Sequence, residues 1–259
     1  MKGESKMLNF IRADLYRLSR SKSFWITEGI ILLLVILSVV SNGSVGVTLG
    51  DSTQTAGGLT EITGFLAIQT SLSSMLLYYS LPLVMQVLGS EYTKGTMKNI
   101  ITVGVSKPAY LFGKFLVYAL VLVLQIVAIC LVSFVAGTVI GGIGYNDLSQ
   151  IENLLYYFVS FVLILLATSS FAVLVLYLTK NTAVSVLATI FIPMAFAIAR
   201  ISLPNWKFLE YLDFQGGLEM VTMTTFQTWE TVQPIFIGSL ISLLLCLLAA
   251  HLVFKRQEL

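Results

Sequence analysis

The sequence predicts an all-α integral membrane protein, a single transmembrane domain over residues 1–259 with six membrane-spanning helices and both termini in the cytoplasm. Three observations predict it: the composition, the length of the apolar runs and the distribution of basic residues. Of the 259 residues, 57% are hydrophobic and 11% are charged, and the mean hydropathy is +0.90. Soluble domains carry about 25% charged residues, so this chain has too few charges to cover a water-soluble surface. The high apolar content also excludes intrinsic disorder.

Six apolar runs have the length that a membrane span requires, or come close to it. A helix needs about 20 mostly apolar residues to cross a hydrocarbon core of about 30 Å. The runs do not alternate between polar and apolar residues, which argues against a transmembrane barrel. A cleaved signal peptide is the alternative for the first run, and its long polar leader argues against that alternative. The predicted spans are residues 24–41, 64–88, 115–141, 154–178, 183–203 and 234–254.

Basic residues alternate between the segments that connect these runs. They are concentrated in the leader 1–23, in the loop 89–114 and in the tail, whereas segments 42–63 and 142–153 contain none. Cytoplasmic loops carry an excess of lysine and arginine. The leader, the 89–114 loop and both termini are therefore predicted to be cytoplasmic.

The leader has the pattern of an amphipathic helix. Its apolar residues recur at helical spacing on one face, while its arginines fall mostly on other faces. Such a helix beside a span suits the membrane surface. One interpretation, which the family resemblance described below favours, is an interfacial helix that also contacts a cytoplasmic partner. The alternative is a positively charged anchor that only sets the topology. The residues of this interfacial helix are Leu8, Ile11, Arg12, Leu15, Arg17 and Leu18.

The 89–114 loop is the longest predicted cytoplasmic connection. It contains an amphipathic stretch, Thr96–Val103, bounded by Gly95 and Gly104. Ser106-Lys107-Pro108 then predicts the start of a new helix, since proline is favoured in a first helical turn. We expect a short helix across the membrane surface here; the alternative is a solvated connector.

Segment 204–233 is predicted to be extracellular and to contain short helices or a re-entrant pair before the last span. Its aromatic residues suit the outer headgroup layer. The alternative is an aromatic belt with no role in substrate handling.

Groups for catalysis, nucleotide binding and metal binding are not found in the sequence, so no catalytic residue and no metal site is predicted. No glycine-rich phosphate-binding loop is present. Glu28, Arg200 and His251 each lie near the end of a run and are interpreted as snorkelling to an interface. Pro82 and Pro193 are candidates for breaks in the spans.

Uncharged polar side chains inside the spans suit either helix packing or a pathway for an amphipathic solute. Packing is the commoner explanation. Gly137 and Gly141 form one G-x-x-x-G pattern, which is compatible with close helix contact. The candidate pathway residues are Gln69, Ser73, Tyr78, Gln86 and Gln125.

Two segments carry a resemblance to a known family. The leader contains RADLYRLSRSKSFW, and the second run ends in EYTKGTMK, followed by Ser106-Lys107 and Gly113-Lys114. This resembles the membrane subunits of type-2 ABC exporters, including bacterial permeases linked to peptide-antibiotic immunity and drug or peptide export. The layout of the whole chain is similar, while residue matches are confined mainly to these two segments. Lys107 stands where the family pattern often has arginine.

The resemblance implies a mechanism for the predicted parts. The leader would be a connecting helix at the inner leaflet, and Glu91–Lys114 would contain the coupling helix that docks on a separate ATPase subunit. ATP and magnesium would bind to that partner, with no cofactor in this chain. Two permease subunits, copies or paralogues, would pair around a central path. The implied coupling residues are Glu91, Gly95, Thr96, Lys98, Ser106, Lys107 and Lys114.

The resulting functional prediction is a non-catalytic, multi-pass permease subunit in a bacterial plasma membrane. It would export a peptide, including an antimicrobial peptide, a drug or another amphipathic substrate, with the bilayer, the ATPase and a second permease as partners and no nucleic acid. A self-sufficient channel or secondary carrier is the first alternative. A membrane enzyme or sensor is the second, against which the shortage of intramembrane acids argues.

Overall fold

The computed structural model describes residues 2–41, 62–73, 75–102, 105–144, 148–223 and 229–257, and within these ranges the chain is helical without a β-strand. A π-helical segment, Val84–Gly89, joins α4 to α5, and a 3-10 segment, Lys207–Tyr211, precedes α10. The α-helices are α1 Lys2–Ser19, α2 Lys22–Val40, α3 Gly64–Ser71, α4 Met75–Leu83, α5 Ser90–Lys94, α6 Met97–Thr102, α7 Lys107–Gly141, α8 Leu148–Thr179, α9 Thr182–Ser202, α10 Phe214–Met223 and α11 Trp229–Arg256.

Among the described residues, 5 helices are long and apolar enough to cross a membrane: α2, α7, α9 and most of α8 and α11. A sixth span requires Gly64–Ser71 and Met75–Tyr92 to be taken together, and these two helices meet at a bend of 67°. The helical, multi-span fold is thus confirmed, with the predicted 64–88 span broken. The break precedes Met75 and not Pro82, because α4 continues through that proline into the π-helical segment. Helix α9 likewise continues through Pro193.

The C-terminal end of α7 contacts the start of the bent span, which is formed by α3 and α4. The backbone N–H groups of Gly64 and Phe65, at the start of α3, donate to the carbonyls of Gly142 and Ile143 at 2.9 and 3.3 Å. Free N–H groups at one helix start therefore meet free carbonyls beyond another helix end. Gly137 permits this approach, since a Cβ there would lie 2.5 Å from the Ala67 Cβ. The predicted small-residue contact therefore forms within the chain.

Helix α8 is the central element of the core and packs against α9 and α11. It buries hydroxyl side chains that bond within the bundle, as polar groups in an apolar environment must. Ser169 Oγ donates to the Leu165 carbonyl at 2.6 Å, and Ser185 of α9 donates across to the Ala172 carbonyl at 2.6 Å. Tyr118 of α7 bonds Ser169 through its hydroxyl at 2.6 Å. These residues support the helix-packing interpretation of polar groups in the spans.

Helix ends differ from the predicted spans most clearly at α7. The helix begins at Lys107, although the apolar run begins at residue 115, and Ser106 with extended backbone precedes its first turn. Helix α6, Met97–Thr102, lies within the amphipathic stretch predicted to be helical. The α7 extension places Lys114 inside the bundle, where it meets α1 and α5.

Candidate functional site

The candidate site is a cluster of four charged residues, Asp14, Arg17, Glu91 and Lys114, which we call the charge cluster. It joins α1, α5 and α7 at the end of the bundle where α7 begins. Asp14 stands on the apolar stripe of α1, because Ile11 and Leu18 lie one turn before and after it. All three side chains of this stripe are buried. The stripe thus packs on the bundle, with α1 against α7.

Glu91 reaches the cluster from α5, directly after the π-helical segment. A π turn displaces the following side chains around the helix axis relative to a continuous α-helix. The α5 helix then ends at Gly95, whose φ of 66° is left-handed and whose N–H bonds the carbonyls of Glu91 and Tyr92. Thr96 N–H also donates to the Glu91 carbonyl at 3.1 Å. The short helix is therefore closed by a glycine C-cap, which fixes the backbone around Glu91.

Lys114 is the centre of the charge cluster. Its Nζ lies 2.6 Å from Asp14 Oδ2 and 2.5 Å from Glu91 Oε1. The guanidinium of Arg17 completes the ring, at 2.7 Å from Asp14 Oδ1 and 3.3 Å from Glu91 Oε1. Each acid therefore contacts both bases, and residues distant in sequence become one connected unit.

The formal charges of the charge cluster sum to zero, and three of its four side chains are buried. Asp14, Glu91 and Lys114 are 4%, 2% and 3% exposed, while Arg17 is half-buried. Burying an unpaired charge is expensive, and paired charges offset that cost only when their geometry and hydrogen bonds are good. Arg17 also donates to Ser90 Oγ at 3.1 Å, which uses a further guanidinium N–H. The arrangement favours one relative position of the three helices, since displacement of any one leaves a buried charge unpaired.

Aromatic side chains enclose the charge cluster. Tyr110 donates its hydroxyl to Glu91 Oε2, and its ring packs at 5.6 Å from Phe10 and 5.9 Å from Phe254. The ammonium of Lys114 lies 5.6 Å from the centre of the Phe10 ring, within the range of a cation–π contact. Because these rings come from α1, α7 and α11, they exclude water from the cluster on several sides.

The predicted coupling residues fall into two groups in the structure. Glu91 and Lys114 are brought into direct contact, whereas Gly95 and Ser106 are exposed. Lys107 lies apart and donates to the carbonyl of Gln257 at 2.6 Å, holding the end of the chain. The side chain of Lys98 lies outside the described residues.

The predicted interfacial residues are also divided between two faces. Ile11 and Leu18 are buried and Leu15 is half-buried, so this part of the apolar face meets protein. Arg12 is exposed, while Arg17 turns into the charge cluster. The side chain of Leu8 lies outside the described residues.

Two candidate pathway residues contact α2 across the bundle. Gln125 Nε2 donates to Glu28 Oε1 at 3.2 Å, and Gln86 Nε2 donates to Thr27 Oγ1 at 3.1 Å. Of the other three candidates, Gln69 stands on α3, Ser73 between α3 and α4, and Tyr78 on α4. Gln69 and Ser73 are half-buried, and Tyr78 is exposed. Glu28 therefore meets a glutamine of α7, where the sequence interpretation has it snorkelling to the interface.

At the opposite end of the bundle, Arg200 of α9 pairs with Asp213. The guanidinium Nη1 lies 2.6 Å from Asp213 Oδ2, and Asp213 Oδ1 accepts the Gly216 N–H at 2.9 Å. Asp213 thereby caps α10, which begins at the next residue. Predicted short helices in this segment are present as the 3-10 segment and α10.

Sequence reasoning missed Asp14, Ser90 and Tyr110. One signal for Asp14 was available, since a carboxylate within an otherwise apolar helical stripe has to find a partner when that stripe is buried. Among the described residues, no group of three His, Cys, Asp or Glu side chains is arranged to hold a metal ion.

A sequence model described as ABC-2 family transporter protein matches residues 10–196. The matched range contains the whole charge cluster and extends from α1 into α9. A search of curated proteins gave no match to the chain. Since the match covers most of the sequence, and the helical multi-span fold agrees with it, the chain belongs to the ABC-2 family of transporter proteins.

Proposed function

We propose that this chain is the permease subunit of an ATP-driven exporter and that a separate ATPase subunit drives it through the end of the bundle that carries the charge cluster. Membership of the ABC-2 transporter family supports the permease role. The observation that carries the coupling role is the charge cluster itself, which joins the leader helix, α5 and the start of α7.

The cluster end is assigned to the cytoplasm. Basic residues near it include Lys22, Lys107, Lys255 and Arg256, as the excess of lysine and arginine on the inner side of membranes requires. Helices α1 and α6 then lie at the inner membrane surface. The 3-10 segment and α10 lie on the outer side, before the last span.

Coupling needs a surface that a partner can push and a rigid connection from that surface to the spans. The α5–Gly95–α6 turn supplies the surface, since Gly95 is exposed and nothing lies within 4 Å of a Cβ built on it. Glu91 supplies the connection, because a force on this turn acts through its carboxylate on Lys114 of α7 and Arg17 of α1. Partner movement would thus shift the population between two packings of the spans. Thr96, which follows Gly95 directly, belongs to the same docking surface, and Lys98 is included from the family resemblance alone.

The translocation path is assigned to the interface with a second permease, a copy or a paralogue. Large apolar side chains of α2 and α9, such as Leu33, Leu37 and Phe191, remain exposed in the single chain. A path dotted with polar groups suits a peptide, a drug or another amphipathic substrate. Catalysis of ATP hydrolysis, with its magnesium, belongs to the partner, and a bacterial plasma membrane is the proposed location.

The proposal is tested with the chain and an ATPase subunit that co-purifies with it, reconstituted together in vesicles. A Glu91→Ala, Gly95→Pro double variant removes the connection and breaks the cap, because proline cannot adopt the φ of Gly95. We expect membrane insertion to persist and ATP-driven transport to be lost. Glu210→Ala, which changes an exposed carboxylate at the other end, should transport normally.

Two results would overturn the proposal. Normal ATP-coupled transport by the double variant would refute the coupling role of the charge cluster and the α5–α6 turn. Ion-gradient-driven flux through the purified chain without any ATPase would instead establish the self-sufficient channel or carrier.

A further inference from the structure

Glu28 is a carboxylate inside a membrane-spanning helix, on the face that meets the rest of the bundle. It lies on α2 in helical register with Ile31 and Val35, both of which are buried. Ionisable groups within spans are rare and costly, and they usually mark a pathway or a binding site. The position of Glu28 therefore requires an explanation in terms of its partners.

The partner of Glu28 is a buried glutamine of α7, while Glu28 itself is half-buried. Gln125, which is 5% exposed, donates Nε2 to Glu28 Oε1 and to the Tyr79 carbonyl, each at 3.2 Å. Gln125 stands about 16 Å along α7 from Lys114, at 1.5 Å per residue. Glu28 itself lies about 9 Å along α2 from Lys22, where that helix begins. The contact therefore lies inside the span, in the half of α2 nearer its start.

Glu28 is half-buried, and it differs from the buried carboxylates in contacting no basic side chain among the described residues. Asp14 and Glu91 each contact Lys114 and Arg17, and Asp213 contacts Arg200. Over the described ranges, by contrast, the polar contact of Glu28 is the amide of Gln125, which reaches one carboxylate oxygen. An amide N–H offsets part of the cost of burying a carboxylate but does not neutralise its charge.

Thr27, next to Glu28 on α2, contacts a glutamine that carries an unsatisfied acceptor. Gln86 Nε2 donates to Thr27 Oγ1 at 3.1 Å, and the Thr27 hydroxyl donates to the Ser23 carbonyl at 2.8 Å. Gln86 Oε1 is buried and has no hydrogen-bond partner. Such a buried acceptor costs free energy until a donor reaches it. Glu28 thus has a donor on one oxygen only, and Gln86 Oε1 has none among the described residues.

We propose that Glu28 and Gln86 form a binding site for a primary ammonium group carried on an apolar molecule. An ammonium supplies one positive charge and three N–H donors, which match a carboxylate without a basic partner and an amide oxygen without a donor. The inference deepens the proposed function, on which it rests, by naming cationic amphiphiles as the class of substrate. The amine is supplied by a transported solute or by an aminophospholipid headgroup.

The test uses two probes with the same dansyl group and alkyl chain, one ending in an ammonium and the other in a neutral amide. N-dansyl-1,8-diaminooctane carries a free ammonium, and its N-acetyl derivative is neutral. Each is titrated by fluorescence against the full chain in phosphatidylcholine nanodiscs. We expect the ammonium probe to bind the wild type at least about tenfold more tightly than the acetylated probe, a difference of about 1.4 kcal/mol. Glu28→Gln should abolish this preference, Glu28→Asp should retain part of it, and Glu210→Gln should leave it unchanged.

Equal affinity of the two probes for the wild-type chain would overturn the proposal, and that comparison requires no variant to fold. A preference that persists in a folded Glu28→Gln chain would also overturn it. Nanodiscs with phosphatidylethanolamine distinguish the two sources of amine. Loss of the probe's advantage there identifies the lipid headgroup as the ligand, while an unchanged advantage identifies a solute site.

These titrations are independent of the ATPase. Failure of the ammonium preference refutes the substrate class and leaves the permease assignment standing. Failure of ATP-coupled transport, with ammonium binding intact, refutes the permease assignment and leaves the ammonium site standing.

Discussion

The two ends of the bundle are each held by ion pairs, but in different ways. The charge cluster joins helices that are far apart in sequence, and its carboxylates and ammonium are 3% exposed. The Arg200–Asp213 pair joins residues 13 positions apart, and its base is an arginine with a 31% exposed side chain. The cluster has a similarly exposed arginine, Arg17 at 37%, but adds the buried base Lys114. Buried pairs resist the loss of one partner strongly, whereas exposed pairs contribute little. Charge therefore fixes the helices at the cluster end more firmly than at the opposite end.

Close packing fixes the opposite end instead. Gly238 of α11 lies directly against the 3-10 segment, where a Cβ would be 1.7 Å from the Tyr211 carbonyl oxygen. Phe214 is fully buried, and its ring lies 5.9 Å from Phe171 and 6.5 Å from Phe196. The comparison makes two predictions about the free energy of unfolding. Charge substitutions should lower it most at the cluster end, and packing substitutions should lower it most at the opposite end.

Removal of the central base of the cluster should have the largest effect. Lys114→Met keeps the length of the side chain but leaves Asp14 and Glu91 buried with only Arg17 between them. Breaking a buried pair by removing one partner costs about 3–5 kcal/mol, so we expect a loss of that size in the free energy of unfolding. Denaturant titration in detergent micelles measures it.

Lys207→Met is the matched control for this substitution, because Lys207 is exposed in the 3-10 segment at the other end. It should change stability little. Equal losses in the two variants would show that burial does not distinguish the two ends.

A methyl group at Gly238 should have the next largest effect. Gly238→Ala forces α11 and the 3-10 segment apart, because the atom in the way belongs to the backbone. Overpacking of this kind costs about 1–3 kcal/mol, and we expect the upper part of that range. Gly29→Ala is the control: nothing lies within 4 Å of its Cβ, and alanine favours a helix over glycine by about 0.5–1 kcal/mol. Opposite signs for the two variants support the packing argument, and two stabilised variants would refute it.

Much of the fold follows from the sequence, because the bilayer sets the length of a span. The runs predicted for α2 and α9 match the observed helices to within about two residues, a usual uncertainty of helix ends. The run predicted from residue 154 lies inside α8, which already begins at Leu148. The predicted helix start at Ser106-Lys107-Pro108 agrees with α7. The apolar run begins only at residue 115, because a hydropathy run stops at a charge, and Lys114 is paired with partners that the run does not contain. The break before Met75 depends on how α3 packs against α7, and neither glycine nor proline marks it in the sequence.

The candidate site was only partly predictable. Glu91 and Lys114 were selected through family resemblance, but their contact depends on the π-helical segment and on the extension of α7. Asp14 was missed because the leader was analysed for its apolar and basic faces alone. The pairing of Glu28 with Gln125 depends on how α2 crosses α7, which periodicity does not determine.

Loss of Asp213 should have an intermediate effect. Asp213→Ala removes the cap on Gly216, worth about 1 kcal/mol, and leaves Arg200 unpaired. A pair with a partly exposed arginine contributes up to about 1 kcal/mol, so we expect a total loss of about 2 kcal/mol. Asp213→Asn keeps an oxygen for the cap and should lose about half as much. The same titration measures both, and a loss equal to that of Lys114→Met would contradict the proposed difference between the ends.

The smallest effect is expected at Gly95, where the cluster end has open space. Gly95→Ala meets no neighbouring atom within 4 Å, so the cost is that of the left-handed backbone alone, about 1 kcal/mol. Gly95→Asn should cost less, because asparagine tolerates this conformation and also occurs at helix C-caps. Thermal unfolding in micelles ranks the three residues as glycine, asparagine and alanine in falling stability. Because both substitutions leave Glu91, Lys114 and their partners in place, a loss in the alanine variant as large as that of Lys114→Met would mean that the α5 cap, and not the ion pairs, holds the cluster end together.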